Sequence, residues 1–138
     1  MKKETVLNLT LIICSTLLVF HFGILIKIIP YEIVWGGRLT SDEQMYMFEG
    51  ISITLNSLLI ILLSLKSQRI KVSVPIKFVH AGLWAFFGLF ALNSVGNLLA
   101  ETTFEKFFSI ITILLTVNLW MIIKGKENED SKSPRKQI

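Results

Sequence analysis

The sequence predicts an all-α integral membrane protein, a four-helix up-down-up-down bundle with both termini in the cytoplasm. Three observations predict this class. Of the 138 residues, 52% are hydrophobic and only 17% are charged, whereas soluble domains carry about 25% charged residues. The apolar residues form four continuous blocks separated by short polar connections. Basic residues are concentrated at alternate ends of these blocks, which is how membrane topology is encoded.

The four apolar blocks are each roughly 20 residues or longer, enough to cross a hydrocarbon core of about 30 Å as helices. Strands of a membrane barrel would alternate between apolar and polar residues, and these blocks do not alternate. We therefore predict transmembrane helices at residues 5–29, 45–65, 78–99 and 104–123.

The ends of these helices are marked by residues that begin or end helices. Pro30 has no backbone amide hydrogen, so we expect it to end the first helix. Thr40 followed by Glu43 fits a capping box for the second helix, and Thr102 followed by Glu105 fits one for the fourth. Only a few residues join the third and fourth blocks, which predicts that these two helices are antiparallel neighbours.

The charge distribution predicts the orientation. The N-terminal end, the connection between the second and third helices and the C-terminal tail hold 11 of the 14 basic residues and carry a net charge of +7, against −3 on the other side. The positive-inside rule then places both termini in the cytoplasm of a multi-pass cell-membrane protein. Residues 1–124 form the transmembrane domain and residues 125–138 a polar cytoplasmic tail. The excess basic charge is explained by topology, so we predict no nucleic-acid partner.

Polar residues recur at one depth in the predicted helices. Glu49 and His21 lie about 10 Å and about 12 Å below the outer ends of the second and first helices. Asn93 of the third helix lies at a similar depth, and Asn97 shares its face. Because polar groups inside a membrane normally face protein rather than lipid, we expect an outer-leaflet pocket. The predicted ligand-binding residues are Glu49, His21, Asn93, Asn97 and Arg38.

Glu49 is the residue on which this pocket depends. A carboxylate at that depth loses its hydration, so it needs either a proton or a partner. His21 is the one titratable side chain at a matching depth, which predicts that the two form a coupled acid–base or ion pair. The alternative is a neutral imidazole that packs among apolar side chains or extends toward the interface.

The connection between the first and second helices has two interpretations. It is unusually apolar, and the glycine pair at 36–37 gives its backbone freedom. The first interpretation is a lid that dips into the membrane interface, with Arg38 binding a carboxylate or phosphate. The second is an interfacial anchor held by aromatic residues such as Trp35, with Arg38 paired to Asp42 or Glu43.

Two further patterns have mainly structural interpretations. The serine and threonine stripe of the fourth helix, within residues 109–116, is expected to tie helices together by hydrogen bonds. Ala81, Ala85 and Gly88 form a small-residue ridge on the third helix that lets another helix approach closely. We expect that approach within the bundle, and the alternative is contact with a second copy or another membrane protein.

Catalytic and cofactor signatures are absent from the sequence. Two histidines and the single Cys14 supply no clustered metal ligands, and no phosphate loop, dinucleotide fingerprint or serine elbow is present. We therefore assign no metal, cofactor or catalytic residue. The leading hypothesis is binding or movement of a small polar or amphipathic ligand by a protein embedded in the lipid bilayer. An accessory or immunity-type protein, acting by helix–helix contact, is the second hypothesis, and a lipid-modifying enzyme using Glu49 and His21 is the third.

Overall fold

The structure, a computed structural model, describes residues 3–100 and 102–125. These residues form an all-helical bundle, and its helices are α1 (Lys3–Leu25), α2 (Asp42–Lys66), α3 (Ile76–Leu98) and α4 (Thr103–Lys124). Two single 3-10 turns, Tyr31–Ile33 and Trp35–Gly37, lie between α1 and α2. All four helices are long and apolar enough to cross a membrane, which confirms the predicted class at that level. Apart from Gly125, the predicted tail at 125–138 lies outside the described residues.

The helices pack in a ring. α3 lies along α4 and α1 lies along α2, while smaller contacts of α1 with α4 and of α2 with α3 complete the ring. The larger apolar cluster contains residues of all four helices, including the fully buried Leu59, Leu83 and Leu119. This cluster occupies the half of the bundle that contains the beginning of α1.

The connection between α1 and α2, residues 26–41, packs against the other half of the bundle. Its Val34 and Leu39 are buried, and they join Ile24 of α1 and Met45 of α2 in a second apolar cluster. We call this half the loop end of the bundle and the other half the opposite end. We call residues 26–41 the covering connection, because these two buried side chains pack it onto the loop end of the bundle.

α1 ends at Leu25, before the predicted boundary at residue 29. Lys27 takes a left-handed conformation with φ 61°, and the amide of Ile28 donates to the carbonyl oxygen of Gly23 at 2.9 Å. This Schellman turn ends the helix ahead of Pro30. Glycine is the usual residue at the left-handed position, so a lysine there gave no sequence signal for the turn.

The predicted capping box at Thr40 is wrong, because the capping box of α2 begins one residue later. Ser41 caps the helix and accepts a hydrogen bond from the amide of Gln44 at 3.3 Å. The side-chain oxygen of Gln44 accepts in return from the amide of Thr40 at 3.1 Å. The box of α4 is confirmed, because Thr102 accepts from the amide of Glu105 at 3.3 Å.

The small-residue ridge of α3 does not pack within the bundle, contrary to our expectation. Ala81 and Ala85 are exposed, and a Cβ atom added to Gly88 would meet nothing within 4 Å. The close approach of α3 to α2 occurs at Gly82, where an added Cβ would lie 2.8 Å from Cδ1 of Leu62. The ridge therefore faces away from the neighbouring helices.

The serine and threonine stripe of α4 forms its hydrogen bonds within α4 and not between helices, contrary to our expectation. The hydroxyl groups of Ser109 and Thr116 donate to carbonyl oxygens of the preceding turn of α4, at 2.6 Å and 2.8 Å. Thr112 does the same, with a distance of 3.0 Å to the carbonyl oxygen of Ser109. Because these hydroxyls are satisfied within their own helix, they do not hold α4 to its neighbours.

Candidate functional site

Glu49 of α2 lies at the centre of the candidate site. Its side chain is fully buried, with 0% exposure. Oε2 lies 2.7 Å from Nδ1 of His21 on α1, and Oε1 accepts a hydrogen bond from Nε1 of Trp35 at 2.9 Å. The contact expected between Glu49 and His21 is present, and the covering connection supplies the second hydrogen-bond partner.

The location of one proton decides the charges of this pair. An imidazolium with a carboxylate, or a neutral imidazole with a carboxylic acid, gives a pair with no net charge. A neutral His21 beside an ionised Glu49 would instead leave a buried net negative charge, which is expensive in a low dielectric. The geometry therefore favours a pair without net charge, joined by the contact between Nδ1 and Oε2.

Trp35 is the site residue that the sequence analysis missed, because its aromatic ring fitted an interfacial anchor. Its backbone has a φ of 55°, which is uncommon for a bulky residue. In this conformation the indole reaches Glu49 and packs against Phe48, with ring centroids 4.9 Å apart. The side chain stays 38% exposed. Trp35 therefore links the surface of the covering connection to the buried carboxylate.

A cavity of about 170 Å³ lies beside the Glu49–His21 pair. Asn93 and Asn97 of α3 and Glu105 of α4 also line it, so all four helices contribute to its wall. Asn93 is exposed and Asn97 is half-buried, so these two residues of the cavity wall are not enclosed by the bundle. The structure thus brings four of the five predicted site residues to one cavity.

Aromatic rings form the apolar wall of this cavity. Phe20 of α1 lies 5.2 Å from Phe108 of α4, measured between ring centroids, and Phe104 lies 5.0 Å from Phe108. Phe90 of α3 lines the same space. The cavity therefore has an aromatic side and a side with carboxyl, imidazole and amide groups, which suits an amphipathic molecule.

Arg38, the fifth predicted site residue, lines a neighbouring groove instead of the cavity. The groove has a volume of about 750 Å³ and shares Asn93, Asn97 and Glu105 with the cavity. The guanidinium group is thus separated from Glu49 but lies along a space continuous with the polar wall.

The proposed pairing of Arg38 with Asp42 is wrong, because Asp42 is paired with Lys27 of the covering connection. The hydrogen bond from Lys27 to Asp42 raises the pKa of the lysine above its ordinary value. No ion pair forms between Arg38 and any other residue within 3–100 and 102–125, Glu43 included. The guanidinium group therefore remains available to an anion.

Metal-ligating side chains do not cluster in the part of the chain that the structure describes. Within residues 3–100 and 102–125, no three His, Cys, Asp or Glu side chains are grouped to hold an ion. The site's described chemistry is that of one carboxyl–imidazole pair, two amides, a second carboxyl group and an aromatic wall.

The fold and the site define a bundle of four membrane-length helices with an amphipathic cavity at its loop end. The chain matches no protein-family model, no curated protein and no solved structure. The chemistry of the cavity and of the covering connection therefore carries the functional proposal.

Proposed function

We propose that this is a multi-pass cell-membrane protein that binds or moves a small polar or amphipathic ligand in the cavity beside Glu49 and His21. The supporting observation is a fully buried carboxyl group with two hydrogen-bond partners at the wall of a cavity. Burying such a group costs several kcal/mol, and an apolar side chain would often serve stability as well or better. A polar group kept inside a membrane bundle next to a cavity favours a binding role.

The cavity volume limits the apolar part of the ligand. An engineered apolar cavity of about 150 Å³ takes up benzene, so 170 Å³ accommodates one aromatic ring or a short aliphatic chain. The amides of Asn93 and Asn97 offer both donors and acceptors to a polar end group. An anionic end that reaches the groove would meet Arg38. The expected ligand is a small molecule with an apolar body and a polar end.

Thermal unfolding with defined probes tests this function. We expect benzyl alcohol, benzylamine or benzoate to stabilise the purified protein, by about 2.7 kcal/mol at a concentration of 100 times Kd. Glu49→Gln should abolish the stabilisation while the protein still expresses and folds, because the polar wall loses its carboxyl group. Glu43→Gln is the matched control, since Glu43 is exposed on the same helix. Equal stabilisation of the wild type and Glu49→Gln would contradict the proposal.

The proposed topology places the loop end outside the cell and both termini in the cytoplasm, with the helices running up-down-up-down. Its support is the net charge of +7 on one side and −3 on the other. We expect a cysteine at position 32, in the covering connection, to react with an impermeant maleimide in intact cells. A cysteine at position 131 should react only after permeabilisation. Reaction of both positions from the same side would contradict this topology.

Contact with another membrane protein, or with a second copy of this chain, is the second candidate function. It is favoured by the exposed Ala81 and Ala85, a ridge that no other helix of the bundle covers. Under this function Ala85→Leu would disrupt the complex and Glu49→Gln would leave it intact. The ligand-binding function predicts the reverse pattern, so the two variants separate the candidates.

A further inference from the structure

Three cationic side chains converge at the opposite end of the bundle, away from the candidate site. Lys3 of α1, Lys66 of α2 and Arg69 line a pocket of about 390 Å³. Glu4 also lines this pocket, so its described side chains carry a net charge of +2. This pocket is independent of the cavity beside Glu49 and has the opposite electrostatic character.

Two of these cations are oriented by other helices. The guanidinium of Arg69 donates to the side-chain oxygen of Asn8 on α1, and the ammonium of Lys66 donates to Nε2 of His80 on α3. Gln68 has a left-handed φ of 58°, and the Schellman turn around it directs Arg69 back toward α1. The basic groups are therefore arranged by the fold around one concave space.

A surface groove adjoins this pocket at Asn8 and Arg69. It has a volume of about 460 Å³ and follows one face of α1, where Leu11, Ile12 and Ser15 line it. Ile12 is 64% exposed, so this face of α1 would contact lipid in the proposed membrane arrangement. A basic pocket for a head group and a groove for an acyl chain thus meet at one arginine.

A topology signal alone does not explain this convergence, because the positive-inside rule depends on the number of basic residues and not on a shared pocket. Lys71 belongs to the same connection as Arg69, Lys77 lies in the first turn of α3, and both carry the same charge as Arg69. Both are exposed and neither lines the pocket. The two lysines therefore provide matched controls for a specific site.

We propose that the pocket and the groove bind one anionic phospholipid. Its phosphate lies among Lys3, Lys66 and Arg69, where the guanidinium fork offers paired hydrogen bonds, and one acyl chain follows the groove of α1. Basic pockets between membrane helices bind acidic head groups in this way. This inference does not depend on the ligand proposed for the cavity at the loop end.

Native mass spectrometry of the full chain, released from phosphatidylcholine nanodiscs with a minor fraction of phosphatidylglycerol, tests the charged part of the site. We expect phosphatidylglycerol to remain bound in preference to phosphatidylcholine. Lys3→Gln and Arg69→Gln should each weaken its binding about fivefold, and Lys71→Gln and Lys77→Gln should not change it. Equal weakening by all four variants would show diffuse surface attraction and overturn the proposal.

The groove is tested separately. Ser15→Trp fills the groove and should release phosphatidylglycerol, while Val19→Trp should not, because Val19 is 72% exposed on the same helix and does not line the groove. Inorganic phosphate, used as a competitor, should displace the lipid weakly because it has no acyl chain. If Ser15→Trp retained the lipid, the groove would not hold its acyl chain. If phosphate displaced the lipid as effectively as phosphatidylglycerol does, the basic pocket would be a site for free anions. Either result would overturn the proposal.

Discussion

Glu49→Ala is expected to lower the free energy of unfolding by about 3 kcal/mol. The substitution leaves Nδ1 of His21 and Nε1 of Trp35 without the acceptors they have at 2.7 Å and 2.9 Å. It also enlarges the cavity next to the pair, which adds a packing loss. Equilibrium unfolding of the purified protein in detergent, with the wild type measured in parallel, gives the value.

Two variants make this result specific to the buried carboxyl group. Glu49→Gln keeps one acceptor oxygen, so its loss should be smaller, about 1 kcal/mol. Glu43→Ala removes an exposed carboxylate from the first turn of the same helix and should change the stability by about 0.5 kcal/mol or less. If Glu49→Ala and Glu43→Ala had the same effect, the hydrogen bonds around Glu49 would not stabilise the fold.

Trp35→Phe should loosen the covering connection. The substitution removes the indole N–H that donates to Glu49 and retains an aromatic ring against Phe48, so it isolates one hydrogen bond. We expect the free energy of local opening across residues 31–39 to fall by about 1–3 kcal/mol. Hydrogen–deuterium exchange measures this as faster amide exchange in that segment, and exchange of α3 and α4 should not change.

Trp84→Phe is the matched control for this experiment. Trp84 has a similar exposure, 40% against 38% for Trp35, and packs edge-on against Trp120, away from the cavity. Its substitution should leave exchange in the covering connection unchanged. Unchanged exchange in Trp35→Phe itself would mean that the indole does not hold the connection over the cavity.

The contact between Glu49 and His21 was predictable because both residues lie at fixed distances from the ends of helices that the sequence predicts to cross one membrane. A helix rises 1.5 Å per residue whatever its sequence, so sequence position converts directly into depth. The same reasoning predicted that Asn93 lies near this pair, and helical periodicity predicted that Asn97 shares a face with Asn93. The position of Arg38 could not be predicted from depth. Arg38 lies in the covering connection, where the rise per residue is not constant.

Which face of each helix points into the bundle was less predictable than the depth of its residues. In a membrane the lipid-facing side chains are as apolar as the core-facing ones, so an apolar stripe does not identify the inner face. The small-residue ridge at Ala81 and Ala85 was therefore assigned to the wrong side of α3. Trp35 was missed for a related reason, because an aromatic residue near a helix end fits both an interfacial anchor and a buried contact.

The sequence by itself determined the number of helices and that each is long enough to cross a membrane, since these follow from local composition and from the regular geometry of the helix. Only the tertiary structure decided that the connection at 26–41 folds over the cavity, that Lys27 rather than Arg38 pairs with Asp42, and that distant basic residues meet in one pocket. Such contacts join segments far apart in the chain. Side-chain packing and the exact paths of the turns select them, and neither leaves a periodic signal in the sequence.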